Sequence, residues 1–152
     1  MHGYESDTVT RLETNLDDCP AEVLGAVMEQ LLAAGALDVW FTPIQMKKHR
    51  PGVMLSALCE EAAVPRLADL LFAETTAFGL RLEKVVRVKL ARRVETVRTP
   101  YGDVQVKLGL KGERVLQFAP EFESCRAVAE KAGVPWREVY AAALQQRPAA
   151  KA

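Results

Sequence analysis

The chain has 152 residues, of which 49% are hydrophobic and 26% charged, a balance typical of a folded domain with its own core. Its 20 basic and 20 acidic residues cancel, so no overall positive field would hold nucleic acid, and we expect neither DNA nor RNA as a partner. No apolar run is long enough to cross a bilayer, and the three cysteines form no CxxC pair, so we expect reduced thiols, a cytoplasmic location and no membrane partner.

Strands and helices alternate in the first 93 residues. Period-two alternation of apolar and polar side chains predicts strands, and apolar side chains at i, i+3, i+4 spacing predict helices that end near Gly35 and Gly79. The resulting order, βαββαβ, is the ferredoxin-like split βαβ plan, with two helices on one face of an antiparallel sheet and the other face free. The predicted elements are a strand over residues 8–16, a helix from Pro20 to about Ala34, strands over 36–44 and 53–59, a helix over about 62–76 and a strand over 80–92.

Shorter strands and two further helices follow. Pro100, Tyr101 and Gly102 predict a hairpin turn, and Gly133 separates the two helices. We therefore expect an α+β protein in which 1–93 form a ferredoxin-like core and 94–152 form a β-hairpin appendage with two C-terminal helices, packed as one compact unit. The predicted elements are strands over 94–99, 103–108 and 113–118 and helices over about 121–132 and 136–145.

Four oxygen-bearing side chains lie within six residues at the predicted turn from the first strand into the first helix. They are Glu13, Asn15, Asp17 and Asp18. Hard divalent cations such as Mg²⁺ and Mn²⁺ prefer ligands of this kind. The alternative is structural: Asp18 or Cys19 would cap the helix, and the other side chains would belong to a polar strand face. The sequence leaves both interpretations open.

A strongly basic turn lies between the second and third predicted strands. Lys47 and Lys48 offer compact charges, Arg50 offers a planar fork for phosphate or carboxylate, and Gly52 permits close backbone approach. An anion site is one interpretation and a solvated loop is the other. We expect the acidic and basic turns to lie at opposite ends of the sheet, so they would meet only through side chains projecting from mid-strand or between subunits of a homo-oligomer.

Other residues with a possible chemical role are scattered. Arg87 belongs to a cationic run along the fourth strand, and Lys107 on the hairpin precedes Glu121. Cys59 is predicted to be a core residue, and Cys19 is the thiol most accessible to solvent. The chain contains no Ser-His-Asp arrangement, Walker loop or GxGxxG motif. The sequence therefore identifies no catalytic residues and no residues that would recognise a nucleotide base.

An ordered set of motifs resembles the C-terminal domain of LarC-type nickel insertion proteins. The resemblance spans residues 8 to 140, and it is the order of the motifs that makes it specific. The motifs are Glu13-Thr14-Asn15-Leu16-Asp17-Asp18, Gly35-Ala36-Leu37-Asp38-Val39, Pro43-Ile44-Gln45-Met46-Lys47-Lys48-His49-Arg50-Pro51-Gly52, Glu74-Thr75-Thr76 with Gly79 and Arg81, Tyr101-Gly102 with Lys107, and Pro120-Glu121 with Cys125.

This resemblance implies an enzyme, a lyase-class nickel chelatase, that inserts its substrate Ni²⁺ into pyridinium-3,5-bisthiocarboxylic acid mononucleotide, the precursor of the nickel-pincer cofactor of lactate racemase. It implies hydrolysis of CTP to CMP and pyrophosphate with Mn²⁺ or Mg²⁺, and metal–CTP binding by this part. Family members also carry a longer N-terminal domain, an implied partner. The implied phosphate ligands are Lys47, Lys48, Arg50, Arg87 and Lys107, and the implied ligands of the metal or its waters are Asn15, Asp17, Asp18 and Glu121. The alternative is a non-catalytic ferredoxin-like module that oligomerises or binds a small anion.

Overall fold

The structure is a computed structural model that describes residues 2–147, so the last five residues of the predicted appendage lie outside the described residues. Residues 7–87 form one compact unit, and the described residues on either side of them form a second unit. Over the described range, no helix combines the length and apolarity needed to cross a membrane. The elements are β1 Glu5–Leu16, α1 Ala21–Ala33, β2 Asp38–Met46, a 3₁₀ turn Lys47–His49, β3 Arg50–Cys59, a 3₁₀ turn Glu61–Ala63, α2 Val64–Glu74, β4 Arg81–Lys89, β5 Ala91–Thr99, β6 Gly102–Lys111, β7 Arg114–Pro120, α3 Phe122–Ala132 and α4 Trp136–Leu144.

The first unit contains a four-stranded sheet in the order β2-β3-β1-β4. β3 is antiparallel to both β1 and β2. Side-chain contacts show that β4 also runs against β1, because Arg81 at the start of β4 reaches Asn15 and Arg87 near its end reaches Asp7. This strand order and the βαββαβ sequence of elements confirm the ferredoxin-like α+β prediction.

The core of this unit lies on the face of the sheet that carries α1 and α2. Alternate residues of β1, including Leu12 and Leu16, are buried there with Leu55 from β3 and with Leu31 and Leu67 from the helices. The intervening residues of β1 belong to the opposite face, because successive side chains of a strand alternate. One strand therefore supplies the core with one set of residues and carries polar side chains on the other.

The start of α1 differs from the prediction, whereas its end agrees with it. Pro20 occupies the N-cap, and no side chain caps the helix, so neither Asp18 nor Cys19 has that role. Pro20 has an extended ψ of 147° and precedes the first helical residue directly, which places the Asp18 carboxylate outside the capping position. Gly35 follows the helix with a positive φ of 98°, as expected for a glycine that ends a helix.

The second unit contains the antiparallel sheet β5-β6-β7 and the two predicted helices. Val104, Cys125 and Val139 form part of its buried core. The single strand predicted over residues 80–92 is wrong, since β4 ends at Lys89 and β5 begins at Ala91. Alternation continues across Leu90 in the sequence, so periodicity alone does not reveal the change of sheet.

Gly52 lets the end of β1 and the start of β3 approach each other closely. A Cβ atom at this position would lie 2.7 Å from the carbonyl oxygen of Leu16 and 3.4 Å from Cα of Asp17. The first distance is shorter than real Cβ contacts, and its partner is backbone rather than a flexible side chain. A side chain at position 52 would therefore push the two strands apart.

We expect Gly52→Ala to lower the free energy of unfolding by about 1–3 kcal/mol, because overpacking forces the backbone to shift. Gly25→Ala is the matched control: Gly25 lies inside α1, and a Cβ atom added there would have no neighbour within 4 Å. That change should raise stability by about 0.5–1 kcal/mol. Chemical denaturation followed by circular dichroism measures both. A Gly52→Ala protein as stable as the unmodified chain would contradict the close approach.

The three thiols differ in accessibility. Cys59 and Cys125 are fully buried, and Cys19 is half-buried. Burial raises the pKa of both buried thiols above the usual value, so folding favours their neutral form. The contribution of this preference to the free energy of unfolding is present at neutral pH. It is lost as the pH rises through the raised pKa values of the two thiols.

We expect one thiol of the native protein, Cys19, to react quickly with a thiol reagent at about pH 8, because the thiolate is the attacking species. Cys59 and Cys125 should react only as the protein unfolds. Colourimetric titration with and without denaturant measures the difference, and Cys19→Ser should remove the fast phase. Three fast thiols in the native protein would show that the two buried sites open readily.

Candidate functional site

Three turns of the first unit lie at the same end of its sheet. They are the turn from β1 to α1, the 3₁₀ turn between β2 and β3, and the turn from α2 to β4. Because β1 and β2 are both antiparallel to β3, they run in the same direction and end at the same edge. Leu16, at the end of β1, pairs with Val53, near the start of β3. The expectation that the acidic and basic turns lie at opposite ends of the sheet was therefore wrong.

An ion pair joins the acidic and basic turns directly. Nη1 of Arg50 lies 3.4 Å from Oδ2 of Asp17. The Asp17 side chain is 18% exposed, whereas the Arg50 side chain is 57% exposed and can turn toward other partners. Exposed pairs of this kind contribute little to stability, about 0–1 kcal/mol. The contact therefore brings opposite charges together without fixing them permanently.

The basic turn has an unusual backbone. Lys48 and His49 both have positive φ values, 60° and 57°, a region that side chains other than glycine rarely adopt. Lys47 and Lys48 are exposed, and within residues 2–147 neither lysine pairs with a carboxylate. The turn thus holds two unneutralised cations beside Arg50 in a constrained conformation, which is a suitable arrangement for an anion.

The third turn supplies hydroxyl groups. The hydroxyl of Thr76 donates a hydrogen bond to the Asp18 carboxylate. The hydroxyl of Thr14 on β1 donates to the carbonyl of Gly79 at 2.9 Å, which fixes the same turn to the sheet. Asp18 therefore has a tertiary partner in place of the capping role that the sequence offered. Thr76 belongs to the Glu74-Thr75-Thr76 motif of the resemblance, and the structure places it at this end of the sheet.

Asn15 lies on β1 two positions before Asp17, which follows the strand, and Arg81 contacts Asn15 from β4. Nη2 of Arg81 donates to Oδ1 of Asn15 at 2.7 Å. Nε of the same guanidinium lies 3.6 Å from the carboxylate of Glu13. The structure thus adds Arg81 to the neighbourhood of the acidic turn, a residue the sequence left outside its predicted phosphate ligands. The pairing order of the strands is the signal that would have identified it.

Arg87 lies elsewhere on the same strand. Its guanidinium makes two hydrogen bonds to Asp7, of 3.0 and 2.7 Å. These hydrogen bonds raise the pKa of Arg87 above its usual value. Arg87 is six residues from Arg81, about 20 Å at the rise of a strand, and Asp7 lies near the opposite end of β1 from Asp17. The structure does not bring Arg87 to the three turns.

Lys107 and Glu121 belong to the second unit, where they pair with each other. Nζ of Lys107 lies 2.7 Å from Oε1 of Glu121. Lys107 is on β6, and Glu121 precedes α3 directly. One was predicted to bind phosphate and the other to bind a metal ion. In this structure each neutralises the charge of the other.

The donors at the three turns fit a hard divalent cation only in part. Across residues 2–147, no group of three or more His, Cys, Asp or Glu side chains is arranged to hold a metal ion. Asp17 and Asp18 supply two carboxylates from neighbouring residues, one in contact with Arg50 and the other with Thr76. Mg²⁺ and related ions commonly bind through one or two carboxylates together with substrate phosphates and water. The residues present therefore fit a cation that arrives with a phosphate ligand better than one held by the protein alone.

Comparison with known proteins identifies the family. The model of a family described as nickel insertion protein matches residues 1–140. A pyridinium-3,5-bisthiocarboxylic acid mononucleotide nickel insertion protein of Thermotoga sp. (strain RQ2) is 43% identical over 131 residues, 86% of this chain and 33% of its own length. A protein of the same name from Acetivibrio thermocellus is 41% identical over 134 residues, 88% of this chain and 33% of its own length. The chain thus spans about a third of the length of these curated relatives.

A solved structure agrees with these sequences. It is the apo form of the C-terminal domain of a cyclometallase involved in the synthesis of the NPN cofactor of lactate racemase. It is 45% identical to this chain, the TM-score is 0.84, and the match covers 93% of this chain and 97% of that one. The family model covers most of the chain, and the fold and relatives agree with it. The chain belongs to the nickel insertion protein family.

Proposed function

We propose that this chain is the metal–CTP-binding part of an enzyme that inserts Ni²⁺ into pyridinium-3,5-bisthiocarboxylic acid mononucleotide. In this proposal CTP is hydrolysed to CMP and pyrophosphate, and the remaining part of a longer protein supplies the other functions. The observation that carries it is the meeting of Asp17 and Asp18 with Lys47, Lys48 and Arg50 at one end of one sheet. The names of the relatives support the nickel substrate and the cofactor precursor.

The basic turn accounts for the phosphates of CTP. Hydrolysis to CMP adds water at the α-phosphorus, breaks the bond to the bridging oxygen and releases pyrophosphate with additional negative charge. Lys47 and Lys48 provide point charges, and Arg50 provides two parallel N–H donors for phosphate oxygens. Cations that are already gathered at this turn before the reaction stabilise the charge of the leaving pyrophosphate.

The acidic turn accounts for the divalent cation. Asp17 and Asp18 would hold Mn²⁺ or Mg²⁺, directly or through its waters. When bound, the cation supplies positive charge that polarises the phosphate oxygens. The side chain of Thr76 holds Asp18 in the turn beside β1, so the carboxylate is positioned before the nucleotide arrives.

Binding of the nucleotide and of the cation would be coupled through exchange of partners. In the structure Arg50 pairs with Asp17. A triphosphate that binds Arg50 leaves Asp17 without its counterion, and a cation that binds Asp17 releases Arg50. Phosphate that binds without the cation is repelled by two carboxylates, and the cation that binds without phosphate is repelled by three basic side chains. Each ligand therefore increases the affinity for the other.

Other parts of the proposal rest on the resemblance. The assignment of Lys107 to phosphate and of Glu121 to the metal rests on the resemblance alone and stays a prediction. The proposed partners are CTP, the cofactor precursor, the N-terminal domain of the family and further copies of this chain. The cytoplasmic location also stays a prediction.

We expect calorimetry to show Mn²⁺-dependent binding that favours CTP over ATP. Lys47→Ala and Arg50→Ala should each weaken this binding about 10-fold or more, because each removes a charged contact to phosphate. Lys84→Ala is the matched control, since it removes an exposed lysine that pairs with Glu61, away from the three turns. Similar weak heats from every triphosphate, with or without Mn²⁺, would support the non-catalytic anion-binding module instead.

Asp17→Asn tests the exchange of partners through two effects of opposite sign. Without a divalent cation, removal of a carboxylate beside the phosphate site should strengthen CTP binding about 2- to 5-fold. With Mn²⁺ present, the same change should weaken binding about 10-fold, because a ligand of the cation is lost. Calorimetry in chelator and in Mn²⁺ measures both values. A change of the same sign in both conditions would contradict the exchange.

A further inference from the structure

We infer that Arg81 contacts the phosphates of the bound nucleotide and that Glu13 is its positioning residue. This inference rests on the proposed function and extends it to a second guanidinium, on a different strand from Arg50. It depends on a set of contacts on the face of the sheet that carries no helix of the first unit. The sequence offered Glu13 as a cation ligand, and its contacts indicate another role.

Glu13 is surrounded by positive and polar groups. Its Oε1 lies 3.2 Å from Nε of Arg11 and accepts a hydrogen bond of 3.3 Å from the hydroxyl of the buried Ser56. Its Oε2 lies 3.6 Å from Nε of Arg81. The side chain is only 16% exposed. With both oxygens already in contact, this carboxylate has little capacity to bind a cation.

The charge of Arg11 has a second counterion. Its Nη2 contacts Oε2 of Glu83 on β4. Arg11 is therefore shared between Glu83 and one oxygen of Glu13, and the other oxygen of Glu13 faces Arg81. The four charges alternate across β1 and β4, which fixes the direction of each long side chain.

Two contacts hold the Arg81 guanidinium and leave the rest of it accessible. Nε faces Glu13, and Nη2 donates to Asn15 at 2.7 Å. A guanidinium has five N–H donors, so most of its donors remain for a ligand, and the side chain is 54% exposed. Asn15 is the last but one residue of β1, and Asp17 follows the strand directly. Arg81 is thereby held beside the acidic turn with part of its fork directed to no protein group that we describe.

This arrangement suits a phosphate ligand better than a structural ion pair. Arg87, on the same strand, is 27% exposed and makes both of its hydrogen bonds with one carboxylate, that of Asp7. Arg81 is 54% exposed, its hydrogen bond goes to a neutral amide, and its carboxylate partner lies 3.6 Å away. Asn15 also gains a defined role, because its amide oxygen orients Arg81. The triphosphate would then lie between guanidinium groups from β3 and β4, with the acidic turn of β1 between them.

The test is the affinity for Mn²⁺–CTP, measured by calorimetry on the full chain. Arg81→Ala should weaken binding about 10- to 100-fold, as expected for a charged contact. Glu13→Gln should weaken it about 3- to 10-fold, although it removes a negative charge near an anion. If only the net charge near the nucleotide mattered, Glu13→Gln would strengthen the binding of Mn²⁺–CTP instead of weakening it. The double variant should bind as Arg81→Ala does, because Glu13 acts through Arg81.

Two further variants complete the test. Arg81→Lys keeps the charge but loses the fork, and it should bind about 5- to 10-fold more weakly. If Glu13→Gln does not fold, this exposed substitution still tests the phosphate role of Arg81. Lys84→Ala, on the same strand, should bind as the unmodified chain does.

The possible outcomes separate this inference from the proposed function. If the unmodified chain binds Mn²⁺–CTP and Arg81→Ala or Arg81→Lys binds equally well, the role of Arg81 is overturned. Equal or tighter binding by Glu13→Gln, or independent losses that multiply in the double variant, overturns the positioning role of Glu13. No binding of Mn²⁺–CTP by the unmodified chain overturns the proposed function and, with it, the phosphate role of Arg81.

Discussion

The antiparallel pairing of β1 with β3 is the constraint on which the rest of the site depends. It places the end of β1 beside the start of β3, so the acidic turn and the basic turn lie at the same edge. Gly52 permits this pairing, because any side chain there would meet the backbone of β1. A hydrogen-bonded backbone contact, rather than an attraction between side chains, thus brings opposite charges together.

The charged contacts of the first unit have two kinds of role. Arg87 is held by two short hydrogen bonds to a half-buried carboxylate, so it stabilises the joining of β1 and β4. Arg50 is mostly exposed and makes one longer contact with Asp17. Because a pair of this kind is worth about 0–1 kcal/mol, its replacement by the proposed triphosphate or divalent cation would cost little stability. The weak pair of Arg50 with Asp17 is therefore compatible with ligand binding at Arg50. The stronger pair of Arg87 with Asp7 is better suited to stabilising the fold.

Local patterns in the sequence were sufficient for the fold. Alternation and helical spacing identified βαββαβ, since each element has its own period, and Gly35 ended its helix as expected. The pairing geometry was harder to predict, because it depends on strand directions. Two errors follow from this: the two turns were expected at opposite ends of the sheet, and Asp18 was offered as a helix cap although Thr76 is its partner. The contacts of Arg81 with Asn15 and of Arg87 with Asp7 likewise depend on how β1 and β4 pair. The sequence shows that a strand carries basic side chains, but only the strand register shows which carboxylate each of them contacts.

One strand, β1, carries residues of both the hydrophobic core and the proposed site, on its two faces. Leu12 and Leu16 are buried on the helix face, whereas Glu13 and Asn15 belong to the opposite face. A shift of β1 by one residue would exchange the two faces, exposing the leucines and burying charged groups. The apolar contacts therefore oppose such a shift strongly, and the register that buries the core is also the register that sets Glu13 and Asn15 against Arg81. The positions of the polar side chains are consequently fixed by the hydrophobic core, so the site needs little stabilising energy of its own.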